Sequence, residues 1–387
     1  MNLLPNNYVA KLNRFEDVFK GRVPDRVPAL SMAQTWVFHY SNISLKQAAF
    51  DMYENDGQLF FQAYKKFFKE IECDAILSIL TPQWSGIAGR LGRGIYELTD
   101  ESMTANNLGE LLYEEEYDQF IEDPFGFIAN TVLPRKYPIL NNDAEGAEAL
   151  KDFYTGFNRF SANSDRFLER MKLELEVPLI RSGRCPLAPD IMTDFLRTVF
   201  GTSTDIKRNP ENFLRACDRL QNELFELAAG SRPSVGRGMS ATLHSGPLLN
   251  PQDFHDFYLP YLKLHSHTLT NLGHNVVYFL EGNWEPYVEF FSELPDKGIM
   301  CIFEYGDLKK IQKKTKGNIV IGGGMPLELL SLGKKQECLD YAKRLIDELA
   351  AGGRYVFATD KSLISIDDVN ASNYFSVYSF ITEYGRY

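Results

Sequence analysis

The sequence has 387 residues, of which 44% are hydrophobic and 24% are charged, so the chain can bury a large core and is not a mostly disordered protein. Its formal net charge of −11 disfavours nucleic acid and anionic membranes as partners, and leaves small molecules and proteins. The five cysteines form no CxxC motif, so the sequence predicts neither a disulfide framework nor a thiolate zinc cluster.

The amino-terminal segment predicts a helix rather than a targeting signal. Charged residues begin at Lys11 and no long apolar core precedes them. No part of the chain approaches about 18 uninterrupted apolar residues. We therefore expect a cytoplasmic protein without a membrane span. An amphipathic helix is predicted over Val9–Lys20, with Gly21 just past its end.

Two strands and a long insertion are predicted next. Arg26–Met32 is the first strand, and a helix begins at Ser44, where Gln47 completes a capping box. Cys73–Leu80 is the second strand. Residues 82–175 lack a regular pattern of strands and helices, because glycines and an acidic run interrupt them. This predicts an excursion from the main fold.

The remaining sequence alternates regularly between apolar runs and helical stretches. With the first two strands, the apolar runs number eight, and such alternation predicts an α/β protein folded as a closed (β/α)8 TIM barrel. We expect one domain over residues 1–387, with an amino-terminal helical extension. The other predicted strands cover residues 177–184, 235–243, 275–280, 298–303, 318–322 and 354–359, and the helices between them include Pro210–Ala228, Pro251–Leu272, Pro286–Leu294, Leu308–Lys314 and Gln336–Ala351.

Four polar residues stand at the downstream ends of predicted strands: His244, Glu281, Glu304 and Asp360. The carboxyl ends of parallel barrel strands share one rim, so these side chains are expected to converge. Several carboxylates buried together need a cation or shared protons. Ordinary structural pairing with each other or with backbone amides is the alternative.

Two kinds of chemistry fit this group of residues. His244, Glu281 and Glu304 together could bind zinc or another divalent metal and leave a position for substrate, with Asp360 as a fourth ligand or an acid/base group. Without a metal, crowding of two carboxylates would raise the pKa of one, creating a general acid that protonates a leaving oxygen. The sequence alone does not separate these alternatives.

Several segments resemble the uroporphyrinogen decarboxylase superfamily, which includes corrinoid-dependent methyltransferases. They include RFEDVFKGRVPDRVPAL, DFLRTVFGTSTDIKRNPENFLRACDRL, FLEGNW and IGGGMPLELLSLGKKQECLDYAKRLIDELAAGGRYVFATD. The resemblance implies a (β/α)8 barrel with its site at the carboxyl rim. The porphyrinogen decarboxylases have an arginine-rich RQAGR-like signature after the first strand, where this chain has LSMAQTW over Leu30–Trp36, so porphyrin decarboxylation is disfavoured.

The chain also departs from the thiol-methylating members of that superfamily. Their zinc motif of one histidine and two cysteines corresponds here to Phe279, Glu281 and Asp360, which disfavours thiol activation. His244, Glu281 and Glu304 match another branch, which is linked to demethylation of donors such as methoxylated aromatics. That resemblance implies O-demethylation, with the methyl group delivered to the cob(I)alamin of a separate corrinoid protein.

Within this hypothesis, His244, Glu281 and Asp360 are the expected catalytic residues. The sequence has no corrinoid-binding DxHxxG motif, so cobalamin is expected on the partner protein. A decarboxylase or lyase, and a catalytically silent ligand-binding barrel, are the alternative functions, and a homo-oligomer is possible. The residues expected to bind substrate, which ordinary packing would explain equally well, are Gln34, Tyr278, Trp284 and Tyr305.

Overall fold

A ring of parallel strands forms the centre of the computed structural model, which describes residues 4–79, 86–92, 96–106 and 109–387. Two strands, β1 and β2, pair in parallel, and six more form a parallel sheet in the order β10-β9-β8-β7-β6-β5. A separate antiparallel hairpin, β3–β4, lies in the excursion. The strands are β1 (Leu30–Ser31), β2 (Ala75–Ile76), β3 (Tyr96–Leu98), β4 (Met103–Ala105), β5 (Arg181–Arg184), β6 (Gly238–Leu243), β7 (Asn275–Leu280), β8 (Ile299–Phe303), β9 (Val320–Met325) and β10 (Tyr355–Thr359).

Two single parallel bridges join the two sheets into a closed ring. Ile76 of β2 bridges to Leu179, just before β5, and Ala29, next to β1, bridges to Phe357 of β10. Because both ends of the six-stranded sheet are thereby continued by the two-stranded one, eight parallel strands surround a common axis. The predicted (β/α)8 barrel is confirmed. The second predicted strand is shorter than expected, and its last residue, Leu80, is outside the described residues.

Alternate residues of each strand supply two different cores. Val277 and Met300 belong to a core inside the ring, whereas the adjacent Tyr278 and Cys301 belong to a larger core between the ring and the helices. Successive side chains of a strand point to opposite faces, and in a barrel one face is buried inside the ring and the other under the helices.

Helices cover the outside of the ring. The capping box predicted at Ser44 is present, since Gln47 donates its amide to the serine hydroxyl at 3.2 Å and its side chain accepts from the Ser44 amide at 3.0 Å. None of the described helices combines the length and the apolar character needed to cross a membrane. The helices around the ring are Asn6–Phe19, Trp36–Tyr40, Leu45–Glu54, Gln58–Phe67, Ala188–Ile191, Thr198–Arg208, Pro210–Ala229, Pro251–Asp253, Leu259–Asn271, Leu308–Lys314, Leu327–Leu332, Lys335–Leu349 and Ala371–Tyr384.

The excursion after β2 consists of the hairpin, short helices and one long helix of 28 residues, Asp143–Arg170. Of its predicted extent, residues 82–85, 93–95 and 107–108 are outside the described part of the chain. Asn163 in the long helix donates to the carbonyls of Met52 and Asn55 at 2.8 and 3.0 Å, which fixes the excursion to the barrel. Its shorter helices are Tyr117–Glu122, Pro124–Phe127 and Leu133–Lys136.

Some helices differ from the sequence prediction. The predicted helix Pro251–Leu272 is interrupted by a π-helical turn over Phe254–Tyr258. Pro260 lies two residues later, and because proline has no amide hydrogen to donate, the α-helical hydrogen bonding is broken there. The predicted helix Pro286–Leu294 is a 3₁₀-helix over Val288–Glu293.

A buried ion cluster lies between the first helix and the start of β2. The carboxylate of Asp74 is fully buried and accepts from both guanidinium nitrogens of Arg26 at 2.7 Å, from Arg14 at 2.8 Å and from the Ala29 amide at 2.8 Å. Arg14 also binds Asp25 at 2.7 and 2.8 Å, so Asp74 is the buried counter-ion of Arg26 and shares Arg14 with Asp25.

We expect Asp74→Asn to lower the free energy of unfolding by about 3–5 kcal/mol, because it removes the buried counter-ion of Arg26 and one of the two carboxylates that bind Arg14. Urea unfolding followed by circular dichroism measures the change. The control is Asp118→Asn, which removes an exposed ion pair of 3.6 Å to Arg215 and should cost less than about 1 kcal/mol. Equal effects of the two substitutions would contradict the role of Asp74.

A buried histidine connects β7 to the helix layer. His265 is fully buried, its Nδ1 accepts from the Tyr278 hydroxyl at 2.7 Å, and its Nε2 donates to the Cys185 carbonyl at 2.7 Å. Both nitrogens are used by the neutral ring. Burial therefore lowers the pKa of His265 to about 4, against the opposing effect of the Cys185 carbonyl.

The stability of the protein should fall as the pH drops from about 6.5 towards about 4, because the unfolded chain protonates His265 in this range and the folded chain does not. In His265→Gln, which does not titrate, the free energy of unfolding should depend less on pH over the same interval. His267→Gln, at an exposed position of the same helix, is the control and should keep the wild-type dependence. Denaturant unfolding at several pH values distinguishes these outcomes.

Candidate functional site

Strand register brings three of the predicted site residues together at the carboxyl ends of the strands, which we call the rim. β6 and β7 pair through Leu243 and Leu280, so the residues that follow them, His244 and Glu281, are neighbours. The register between β7 and β8 likewise brings Glu281 beside Glu304. All three residues continue the inward-facing positions of their strands.

His244 lies between two carboxylates. Its Nδ1 is 3.2 Å from a carboxylate oxygen of Glu281, and its Nε2 makes a short hydrogen bond to Asp194. A ring with an acid on each side is best matched as an imidazolium that donates from both nitrogens. Burial opposes the charge, but the hydrogen bonds that His244 donates to Asp194 and Glu281 outweigh burial and raise the pKa of His244 to about 10.

A third carboxylate, Asp190, holds the backbone of His244. It is buried, and one oxygen accepts from the amides of His244 and Ser245 at 3.2 and 2.9 Å and from the Ser245 hydroxyl at 2.7 Å. The other oxygen accepts from the Tyr258 hydroxyl at 2.8 Å. Burial raises the pKa of Asp190, while the charge of His244 and these hydrogen bonds lower it. Asp190 therefore fixes the position from which His244 reaches the rim.

Asp194 belongs to a π-helical turn, Met192–Arg197, after β5. The turn is held by the buried Arg197, whose guanidinium binds Asp205 at 2.6 and 2.8 Å and the Leu112 carbonyl at 2.7 Å. Thr198, which follows, has a positive φ of 64°, a strained conformation for a β-branched residue. The turn that presents Asp194 is thus tied to the excursion.

Sequence reasoning missed both aspartates because no element was predicted between β5 and Pro210. A usable signal is present: Asp190 and Asp194 lie four residues apart directly after a strand, in LAPDIMTDF. Residues at that spacing share one face of a helix. A helix beginning at the rim would therefore have pointed both acids towards the strand ends.

Glu304 continues the site in the other direction. One of its oxygens accepts from the Gly282 amide at 2.7 Å, and the other is 3.5 Å from the Lys361 ammonium. Lys361 also contacts the Tyr305 hydroxyl at 3.0 Å. Lys361 was not predicted from the sequence, although it directly follows Asp360. We call Asp194, His244, Glu281, Glu304 and Lys361 the rim network.

The three predicted metal ligands do not form an open ligand set. Within the described ranges, no three His, Cys, Asp or Glu side chains are grouped so that they could hold a metal ion. Both ring nitrogens of His244 are engaged by carboxylates, and Glu304 binds an amide and a lysine. The residues as arranged do not fit a zinc centre, and the zinc site stays a prediction. Their chemistry is that of a hydrogen-bonded acid–base network.

Asp360 and Gln34 lie at the rim but outside this network. Asp360 accepts from the amide of Leu327 at 3.0 Å, the first residue of a helix, and burial raises its pKa. Gln34 donates to the Ser362 hydroxyl at 2.7 Å, and its own carbonyl oxygen is buried without a protein partner among the described residues. Asp360 therefore caps a helix, whereas Gln34 keeps an acceptor free.

The three aromatic residues expected to bind substrate occupy different environments. Tyr278 is fully buried on the helix side of β7, so it does not face the rim. Trp284 is also fully buried, and its indole nitrogen donates to the Glu281 carbonyl at 2.9 Å, which fixes the backbone of Glu281. Tyr305 is 49% exposed beside Lys361. Of the three, only Tyr305 presents a ring to the open mouth of the barrel.

Comparison with known proteins gives the family. A methyltransferase from Methanosarcina mazei has a similar structure, with a TM-score of 0.62 and 16% sequence identity over 96% of this chain and 98% of that chain. No curated protein matches the chain in sequence. The model of the uroporphyrinogen decarboxylase (URO-D) family matches residues 109–363, which is more than half of the chain. The protein therefore belongs to the uroporphyrinogen decarboxylase family.

Proposed function

We propose that the protein transfers a methyl group from a small methylated donor to the cob(I)alamin of a separate corrinoid protein. The donor that fits best is a methoxylated aromatic compound. The observation on which this rests is the histidine held between two carboxylates at the barrel rim, Asp194–His244–Glu281. This arrangement suits a reaction that needs a proton on a leaving oxygen.

An aryl methyl ether requires such help. The bond between the methyl carbon and the ether oxygen breaks, its electron pair stays on the oxygen, and a phenolate is a reluctant leaving group. Cob(I)alamin would supply the electron pair for the new cobalt–carbon bond and be oxidised by two electrons. A positioned acid that protonates or hydrogen-bonds the oxygen lowers the barrier.

The residues of the rim network divide this work. His244 would donate the proton to the ether oxygen, and Asp194 and Glu281 would orient the ring and stabilise its charged form. The buried Trp284 supports Glu281 through its carbonyl. One carboxylate must leave the His244 ring before the substrate oxygen can approach it. Glu281 is the better candidate to move, because its side chain is 42% exposed and that of Asp194 is 25% exposed.

The mouth of the barrel also offers contacts for a protein partner. Large apolar side chains are exposed on three segments that follow strand ends: Phe200 after β5, Leu248 after β6 and Leu332 after β9, at 79%, 58% and 80%. A corrinoid protein docked there would face the rim network.

The name of the similar structure, a methyltransferase from Methanosarcina mazei, supports methyl transfer. The family name supports decarboxylation as a second candidate, because a proton donor at the rim could also protonate the carbanion that loss of carbon dioxide leaves. The two reactions give different products. Release of carbon dioxide without methylated cobalamin would favour decarboxylation.

We expect His244→Gln and Glu281→Gln to reduce methyl transfer by at least about 100-fold, because the first removes the proton donor and the second removes a carboxylate that stabilises its charged form. The assay follows methylation of free cob(I)alamin by absorbance, with methoxyphenols and methoxybenzoates as donors. Glu289→Gln, an exposed glutamate on a 3₁₀-helix, is the matched control and should keep wild-type activity.

Wild-type activity in His244→Gln would contradict the acid role of this residue. Failure of the wild-type protein to methylate cob(I)alamin with any ether, amine or alcohol would overturn the proposed activity. Since the network fits proton donation, activity should also survive treatment with a metal chelator, and a loss that added zinc restores would favour the metal-dependent alternative.

A further inference from the structure

Two arginines lie on β5, the strand next to β6, which His244 follows. In the register between β5 and β6, Arg181 is opposite Gly238 and Arg184 is opposite Ser240. Ser240 in turn pairs with Val277, which packs in the core inside the ring. The register shifts between Arg181 and Gly183, so the two arginines, although three residues apart, both align with inward-facing positions of β6. Residues in register on parallel strands face the same side, so the pair faces the interior of the barrel. Arg184 is the last residue of its strand, at the rim.

Neither arginine has a protein counter-ion. Throughout the described chain, no carboxylate lies within salt-bridge distance of Arg181 or Arg184, and no hydrogen bond from either guanidinium is formed. Two other arginines that are shielded from solvent differ: Arg197 binds Asp205, and Arg237 donates to the carbonyls of Leu179 and Arg181 at 2.8 and 2.9 Å.

The electrostatics of the pair are unfavourable without an anion. Burial, followed by the positive charge of Arg184, lowers the pKa of Arg181 to about 10. The nitrogens of Arg181 are not sealed from solvent, because none is among the fully buried atoms that lack a partner. Two unpaired cations that solvent can reach, at the wall of a barrel, form a typical oxyanion site.

We propose that Arg181 and Arg184 bind the carboxylate of the substrate, so that the methyl donor is a methylated aromatic acid such as a methoxybenzoate. This inference rests on the proposed function for the methyl group, but the anion site is testable without methyl transfer. A guanidinium matches the planar carboxylate with two parallel hydrogen bonds. With the acid group held by β5, the ring extends towards β6, where His244 stands at the strand end.

Direct binding tests the anion site. Isothermal titration calorimetry with benzoate, which has no methyl ether, should detect binding to the wild-type protein at low ionic strength. Arg184→Gln and Arg181→Gln should each weaken binding by about tenfold or more, since each removes a charge-assisted hydrogen bond. Arg208→Gln, at an exposed position on a neighbouring helix, is the matched control and should bind as the wild type does.

Arg181→Lys should bind better than Arg181→Gln, because it keeps the charge while losing the paired hydrogen bonds. In the methylation assay, 4-methoxybenzoate should have a lower KM than methoxybenzene, and Arg184→Gln should abolish that difference. If Arg181→Gln does not fold, the exposed Arg184 still provides the comparison.

The outcomes are separable from those of the proposed function. Absence of benzoate binding, or equal binding by wild type and both glutamine variants, overturns the anion site. Benzoate binding that depends on both arginines supports the site even when no methyl transfer is detected, and in that case only the proposed methyl transfer fails. Tighter binding of inorganic phosphate than of benzoate would overturn the assignment to a carboxylate.

Discussion

Closure of the parallel sheet is the constraint on which the rest of the structure depends. Strands as short as β1 and β2 would be poor sheet edges, and the single bridges Ile76–Leu179 and Ala29–Phe357 leave the ring without edges. A closed parallel ring puts the carboxyl ends of all its strands on one side, where polar side chains must form hydrogen bonds and ion pairs with one another. The pairing of acids with His244 and Lys361 at the rim is the local solution to that requirement.

Much of the fold is readable from the sequence because apolar runs and helix signals agree with the tertiary structure. All eight strands of the ring were predicted, and the helix Leu308–Lys314 has the predicted limits. The sequence does not reveal where tertiary contacts override local preference. Pro260 converts one predicted helix into three parts, and the segment over Val288–Glu293 is wound more tightly than predicted.

The site was predictable in part, for a reason that lies in strand geometry. His244, Glu281 and Glu304 follow three consecutive strands, so their adjacency could be inferred from position alone. Tyr278 could not have joined them, because the residues of β7 alternate between the two sides and it points to the helix layer. Asp194 comes from a π-helical turn in a segment where no element was predicted, so its spacing from Asp190 went unused and the second acid on His244 was found only in three dimensions.

The clamp made by Arg197 links regions that are far apart in the sequence. It holds the turn of Asp194 to Leu112 of the excursion, and the amides of Leu111 and Leu112 both bind the Leu196 carbonyl at 2.8 and 3.0 Å. Breaking these contacts would loosen the segment around Leu112 and the turn that carries Asp194 together, so the amides of the two segments should exchange hydrogen at similar rates. A substitution near Leu112 would therefore disturb the position of the acid beside His244, although the two residues are far apart in the sequence.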